Sequence, residues 1–252
     1  MNRGTRLGGI HTISSALEYT PDKIIRAWLD PQRQDRRIGE IEQRLAAAGI
    51  PMQRVNRKSL DAMFDERNHQ GVVIEIRLPQ ERTEKDLFQM IEQAPGIPLY
   101  LVLDQVQDPN NLGACLRTAE ATGVNGIVVP KDRSAGITPA VCKVASGAAE
   151  LVPLYRVTNL SRTLQQMKEQ GLWIIGAGGQ SAQSAFETDL SGPMALVIGA
   201  EGHGLRRLTQ EHCDLLVSLP MLGKIESLNL SVAAGVLLYE AIRQRGQEPV
   251  RE

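Results

Sequence analysis

Residues 195–240 read ALVIGAEGHGLRRLTQEHCDLLVSLPMLGKIESLNLSVAAGVLLYE, and this stretch decides the class of fold. The apolar run from Ala195 to Ile198 fits a buried strand. It breaks into Gly199-Ala200-Glu201-Gly202-His203-Gly204, where three glycines leave the backbone bare on both sides of one carboxylate. A second buried-strand candidate, Leu215 to Leu219, runs into Pro220-Met221-Leu222-Gly223. A polar turn then delivers Ser227 and Asn229 to the start of a long apolar helix, Asn229 to Arg243, with few polar side chains before Glu240. Two strands each spill into a glycine-bearing loop, and open α/β sheets bind ligands at such strand ends. A helix so apolar around its circumference has to be buried, in the core and in a subunit interface together.

Upstream, Pro98 to Asp104 is a strand, and Asp108, Pro109, Asn110 and Asn111 form a loop and cap leading into a helix. On a helical wheel Leu112, Cys115, Leu116 and Ala119 share the apolar face. Arg117 lies instead among Gly113, Ala114 and Ala121, a small-residue surface that a ligand or another backbone can approach. On the helix alone Arg117 is equally an exposed arginine paired with Glu120 three residues on. Strands at Gly126–Pro130 and Leu151–Val157 alternate with helices at Thr138–Ala145 and Asn159–Gln170, the pattern of a largely parallel sheet covered on both faces. A rival glycine site, Gly176 to Gly179 after Leu172–Ile175, has Ser181 where the third glycine of a dinucleotide fingerprint belongs, which leaves a nicotinamide-dependent oxidoreductase weakly supported.

The first 78 residues form a smaller α/β module. Helices are expected at Ile10–Tyr19, Gly39–Ala48 and Ser59–Phe64, and strands at Lys23–Leu29, Met52–Asn56 and Gly71–Leu78. Its exposed cations include Arg3, Arg6, Arg36, Arg37, Arg54, Arg57, Lys58 and Arg67, each readable as an ordinary solvated residue or as a phosphate contact. Residues 79–97 read as a linker, with Thr83 and Asp86 spaced as a capping box for a short helix through Gln93. The domains expected are therefore 1–78, a linker 79–97, and 98–252.

Composition narrows the function. A formal net charge of -1 over 252 residues is not that of a protein coated in nucleic acid. An aromatic content of 4% argues against a base-stacking platform. No apolar run reaches membrane-spanning length and no secretory leader pattern is present, so the expectation is a cytoplasmic protein with no membrane partner. Three widely spaced cysteines support neither disulfides nor a thiolate zinc site, and the four histidines lack metal-ligand spacing. No metal is expected. GxSxG, P-loop and HExxH patterns do not occur.

Three stretches, LDQVQDPNNLGACLRTAE, LVIGAEGHGL and SLPMLGKIESLNLSVAAGVLLYEA, resemble the three motifs of the SpoU/TrmH class of the SPOUT superfamily, RNA 2′-O-ribose methyltransferases dependent on S-adenosylmethionine. The resemblance covers the whole second domain. With VPKDRSAGITPAVCKVASGAAELVPLYRVTNL and the α/β first domain, it points to the bacterial enzymes that methylate a guanosine of large-subunit (23S) rRNA. It implies a C-terminal domain tied in a deep trefoil knot and a first domain like a ribosomal-protein RNA-binding fold. It also implies a homodimer with active sites between subunits, acting on rRNA or a ribosomal assembly intermediate.

Carried over by position, the resemblance puts the cofactor on Gly199, Leu219 and Leu228, with Gly202 and Gly204 in the same loop, and the reactive set on Asn111, Arg117, Glu201, Ser227 and Asn229. Arg3, Arg6, Arg36, Arg37, Arg57 and Lys58 are the RNA-binding candidates. Lys224, Ile225 and Glu226 depart from the smaller or more neutral residues expected in that loop. The other readings are a non-catalytic RNA-binding or ribosome-assembly factor on the same fold, and a tRNA 2′-O-methyltransferase.

Overall fold

In a computed structural model, residues 4–33, 35–64, 69–178, 183–200, 202 and 204–246 are described. Arg3, Arg67, Glu201, His203 and the 179–182 part of the rival glycine site lie outside them. The chain divides into two compact units, Met1–Pro79 with Ile137–Lys143, and Gln80–Gly136 with Val144–Glu252.

The first unit runs β1 (Thr5–Gly8), α1 (Ile10–Tyr19), β2 (Ile24–Leu29), α2 (Arg36–Ala47), β3 (Met52–Arg54), α3 (Arg57–Met63) and β4 (Val72–Ile76). Its four-stranded sheet has the order β1-β4-β2-β3, antiparallel except for β2 with β3. Ile13, Ile38, Ile41 and Leu45 from α1 and α2 close one sheet face over Ala27, Leu29, Ile74 and Ile76. Leu60 of α3 covers Trp28 and Val73 on the other. Sequence reading missed β1, a four-residue edge strand whose alternation is too short to register.

The second unit runs β5 (Arg82–Thr83), α4 (Glu84–Gln93), β6 (Leu99–Asp104), α5 (Pro109–Ala121) and β7 (Gly126–Pro130); after α6 (Pro139–Ala145), most of which belongs to the first unit, it continues with α7 (Ala148–Leu151), β8 (Leu154–Val157), α8 (Leu160–Glu169), β9 (Trp173–Ala177), β10 (Gln183–Ser184), β11 (Met194–Gly199), α9 (Arg207–Glu211), β12 (Leu215–Ser218) and α10 (Leu230–Arg245). Its eight strands lie in the order β10-β12-β9-β11-β6-β7-β8-β5, and every recorded pairing is parallel. Alternate residues of β6, Leu99, Leu101 and Leu103 against Tyr100 and Val102, are all buried, as a sheet covered on both faces requires. On the Tyr100 face lie Leu160, Leu164 and Met167 of α8.

The stretch expected to be a linker instead builds this unit. Arg82 and Thr83 pair with β8 as an edge strand, and Leu87 and Ile91 of α4 enter the main core cluster. The capping box forms as read: Asp86 N–H donates to Thr83 Oγ1 at 3.3 Å, and Thr83 N–H donates to Asp86 Oδ2 at 2.8 Å. The expected strand from Leu151 starts late because Gly147, at φ 94°, turns the chain into the short helix α7 first.

The sheet order locates the ligand crevice. From β6 the chain steps outward through β7 to β8, then crosses to β9 and inserts β11 between β9 and β6. The reversal falls between β6 and β11, whose last residues, Asp104 and Gly199, are register partners.

Candidate active site

Asp104 is buried and collects the chain on the far side of the glycine loop. Its Oδ1 accepts from Arg206 Nε at 2.8 Å, and its Oδ2 accepts from Arg206 N–H at 3.2 Å and from Thr209 Oγ1 at 2.7 Å. One carboxylate therefore faces the start of the loop across the ladder and fastens its end. Sequence reading took Asp104 only as the last residue of a strand. The signal available was a carboxylate closing an apolar run, with Arg206-Arg207 beyond the loop.

Within the loop, Gly204 N–H donates to Ala200 O at 2.9 Å, while Gly202 and Gly204 hold φ of 79° and 64°. A Cβ on Gly199 would collide with the backbone of Gly204 and Leu205, so the space beside Gly199 is filled by the chain itself. A Cβ on Gly202 or Gly204 would meet nothing within 4 Å; these two need glycine for backbone conformation, not for room.

The third motif follows β12. Leu219 is half-buried, whereas Ser227, Leu228 and Asn229 are exposed. Among the described residues, the backbone of 219–228 finds no hydrogen-bond partner, so a run of donors and acceptors stays open beside the crevice. Asn229 caps α10: its Oδ1 accepts from Ser231 N–H at 2.9 Å and Ser231 Oγ at 2.7 Å. With the oxygen committed to the cap, Nδ2 turns to α5 and donates to Asn111 Oδ1 at 3.0 Å. Asn111 is buried, and its own Nδ2 has no partner among the described residues. α10 lies along α5, with Gly235 facing Thr118.

Arg117 stands apart from this pair. It is exposed and makes no ion pair or hydrogen bond with a described residue, Glu120 included. It lines a cleft of about 350 Å³ with Glu120, Ser146, Gly147 and Ala148, between α5 and α7. Six residues separate Arg117 from Asn111, which sets them roughly 120° apart around α5. Leu112, Cys115, Leu116 and Ala119 are all buried, as the wheel requires.

Burial pushes the Cys115 and Cys213 thiols up to about 12, which argues against either as a nucleophile. Among the described residues no group of three or more His, Cys, Asp or Glu could hold a metal. At the rival site a Cβ on Gly176 would press on Cys213, Leu205 and Leu216, so that glycine serves packing. Of the first-unit cations, Arg6 donates to Met63 O at 3.0 Å and lies 5.6 Å from the Trp28 ring centroid. Arg26, which sequence reading passed over, lies 5.1 Å from the same ring. Arg36 pairs with Glu40, while Arg37, Arg57 and Lys58 are exposed at the starts of α2 and α3.

Two family descriptions match this chain: "SpoU rRNA Methylase family" over residues 98–239, and "RNA 2'-O ribose methyltransferase substrate binding" over residues 6–82. A protein of Shewanella oneidensis named 23S rRNA (guanosine-2'-O-)-methyltransferase RlmB is 47% identical over 237 residues, covering 94% of this chain and 96% of its own. A protein of the same name from Pseudomonas putida is 46% identical over 245 residues, covering 97% and 98%. Among solved structures, an AdoMet-bound rRNA methyltransferase from Sinorhizobium meliloti superposes with a TM-score of 0.61 at 25% identity, covering 96% of this chain and 87% of that one. The A. aeolicus TrmH/SpoU tRNA modifying enzyme gives a TM-score of 0.56 at 30% identity, covering 65% of this chain and 84% of its own.

Proposed function

The chain belongs to the SpoU rRNA methylase family, and from that membership we propose that it methylates the ribose 2′-hydroxyl of a guanosine in 23S rRNA, with S-adenosylmethionine as the methyl donor. The observation that carries this reading is near-half identity to rRNA guanosine methyltransferases along both units. The A. aeolicus tRNA enzyme, by contrast, covers 65% of the chain.

The loops suit the donor. The unpaired backbone of 219–228 and the open sides of Gly202 and Gly204 offer main-chain hydrogen bonds and room at the switch point of the sheet. Gly199, Leu219 and Leu228 are the residues assigned to hold it. When bound, S-adenosylmethionine supplies an electrophilic methyl group on a sulfonium. The protein's task is to align the ribose hydroxyl and to stabilise the charge left as its proton departs to solvent water.

Arg117 is the group proposed to clamp the adjacent phosphate and the developing alkoxide, because a guanidinium is a planar donor and a poor proton acceptor. Asn111, its Oδ1 held by Asn229, keeps Nδ2 as the donor proposed for the substrate. Ser227 adds a hydroxyl, and Glu201 is assigned to orient Arg117 or the loop.

Arg117 and Asn111 point to different sides of α5, so one ligand meets both most simply across two copies of the chain. Leu222, Ile225, Val232, Val236 and Tyr239 are exposed in the single chain and supply the apolar surface for such a homodimer. The reading further includes a deep trefoil knot in the C-terminal domain, a substrate-binding first domain, and action in the cytoplasm. No helix among the described residues is long and apolar enough to cross a membrane.

The test is to incubate the protein and labelled S-adenosylmethionine with 23S rRNA from cells lacking it, and to map 2′-O-methyl marks. One modified guanosine is the expected result. Transfer to tRNA alone would favour the tRNA reading, and RNA binding without transfer the assembly-factor reading.

A further inference from the structure

A second cleft, of about 620 Å³, opens at the carboxyl ends of β6, β7 and β8. Gln105, just beyond β6, and Arg133, in the turn after β7, both line it, with Asn159 and Ser161 at the start of α8 and Arg206 and Arg207 beyond the glycine loop. It thus adjoins both the turn leading to Asn111 and the loop that Asp104 fastens.

Two observations mark it as built. Gln105 and Arg133 hold φ of 70° and 56°, left-handed conformations that are unfavourable for a side-chain-bearing residue. The turn carrying Arg133 is also held rigidly. Arg156 donates to Lys131 O at 2.6 Å and to Ala135 O at 2.9 Å, and Ala135 N–H donates to Val106 O at 2.7 Å.

The donors are arranged for an anion. Arg206 spends Nε and one terminal nitrogen on Asp104 and keeps Nη1 free of described partners. Arg207 is exposed and pairs only with Glu211, across 2.6 Å. Arg133 has no described partner. Asn159 Oδ1 accepts from Arg162 N–H, and the first N–H groups of α8 stand at the positive end of the helix dipole. Asp132 is the one carboxylate in the lining, so Arg133 offsets it and the neutral donors complete the site.

We propose that this cleft binds a backbone phosphodiester of the substrate RNA next to the methylated nucleotide, setting the register of the strand against Asn111. The proposal rests on the rRNA methyltransferase reading and adds a binding subsite to it.

The test measures affinity for 23S rRNA as a function of salt, and methylation, for the full-length protein and for Arg133→Gly, Arg207→Ala and their double variant. Glycine relieves the left-handed conformation at 133, so Arg133→Gly removes the guanidinium without harming the fold, and its melting temperature should not fall. The double variant should bind rRNA about 10-fold more weakly or worse, with a salt slope shallower by about 1 to 2 and an unchanged Kd for S-adenosylmethionine. An rRNA affinity and salt slope equal to wild type, while the wild-type protein methylates rRNA, would overturn the cleft and leave the function standing. A wild-type protein that transfers no methyl group to rRNA would overturn both.

Discussion

Asn229 Nδ2 donates to Asn111 Oδ1 at 3.0 Å, joining the first turn of α10 to the first turn of α5 across 118 residues of sequence. One amide thus caps a helix and fixes the orientation of another amide. Stability and chemistry at this point are separable by substitution. Asn229→Ala loses both the cap and the bond and should cost about 2 kcal/mol. Asn229→Asp keeps the capping oxygen, so its melting temperature should stay close to wild type. Asn111 then has to turn its Nδ2 toward the new carboxylate, withdrawing that donor from the substrate side, and methylation should fall. Full activity in Asn229→Asp would remove the orienting role.

Arg117 has no partner to lose among the described residues. Arg117→Ala should therefore change stability by less than ~1 kcal/mol while lowering kcat by ~10² or more. Arg117→Lys keeps the charge but not the planar fork, and it should remain strongly impaired. Thermal melting and single-turnover methylation read the two effects, and near-normal turnover by Arg117→Ala would exclude the residue from the mechanism.

The glycines of the second motif should divide by cause. Gly199→Ala forces a methyl into the Gly204 and Leu205 backbone and should cost about 3 kcal/mol. Gly202→Ala carries only the strain of a left-handed residue, about 1 kcal/mol. The bulkier Gly202→Val should leave a folded protein that no longer binds S-adenosylmethionine in calorimetry. Unchanged affinity would place the cofactor elsewhere.

Glu240 gives a pH dependence. Hydrogen bonds from Arg243 and Gln244 hold its carboxyl down from an ordinary 4.5 to about 2. A group whose folded pKa is depressed contributes stability above its unfolded value and loses it as pH falls through the folded one. The contribution is therefore constant from pH 5 to 8 and declines between about pH 4.5 and 2. Glu240→Gln should be less stable than wild type at pH 7, with the gap narrowing as pH falls toward 2. A gap equally wide at pH 7 and near pH 2 would remove the carboxylate as its source.

The sequence made the strands β6, β7, β9, β11 and β12 legible because buried parallel strands are short, unbroken apolar runs. The motif residues were legible as positions, and Asn111 with Asn229 do meet. What stayed hidden depends on distance through space. Asp104 could not be matched to Arg206 and Thr209 from a separation of about one hundred residues. Residues 79–97 looked like a linker because a two-residue edge strand has no period, although Leu87 and Ile91 carried the spacing of a buried helix face. Gly199 looked open to a ligand, and only the folded loop shows that backbone occupies its side.

The position of β11 has a kinetic consequence. β6 pairs on one side with β7, made soon after it, but its other neighbour begins at Met194, opposite Leu99. During synthesis β6 must wait with one ladder edge unsatisfied, and β9 with both, until β11 emerges to slot between them. Contacts so distant in sequence slow folding and leave strand edges exposed to other chains meanwhile. Arg245, which grips the carbonyls of Ile97, Pro98, Leu190 and Gly192, arrives later still. The nascent second unit thus lacks these ties until the last turn of α10 has left the ribosome.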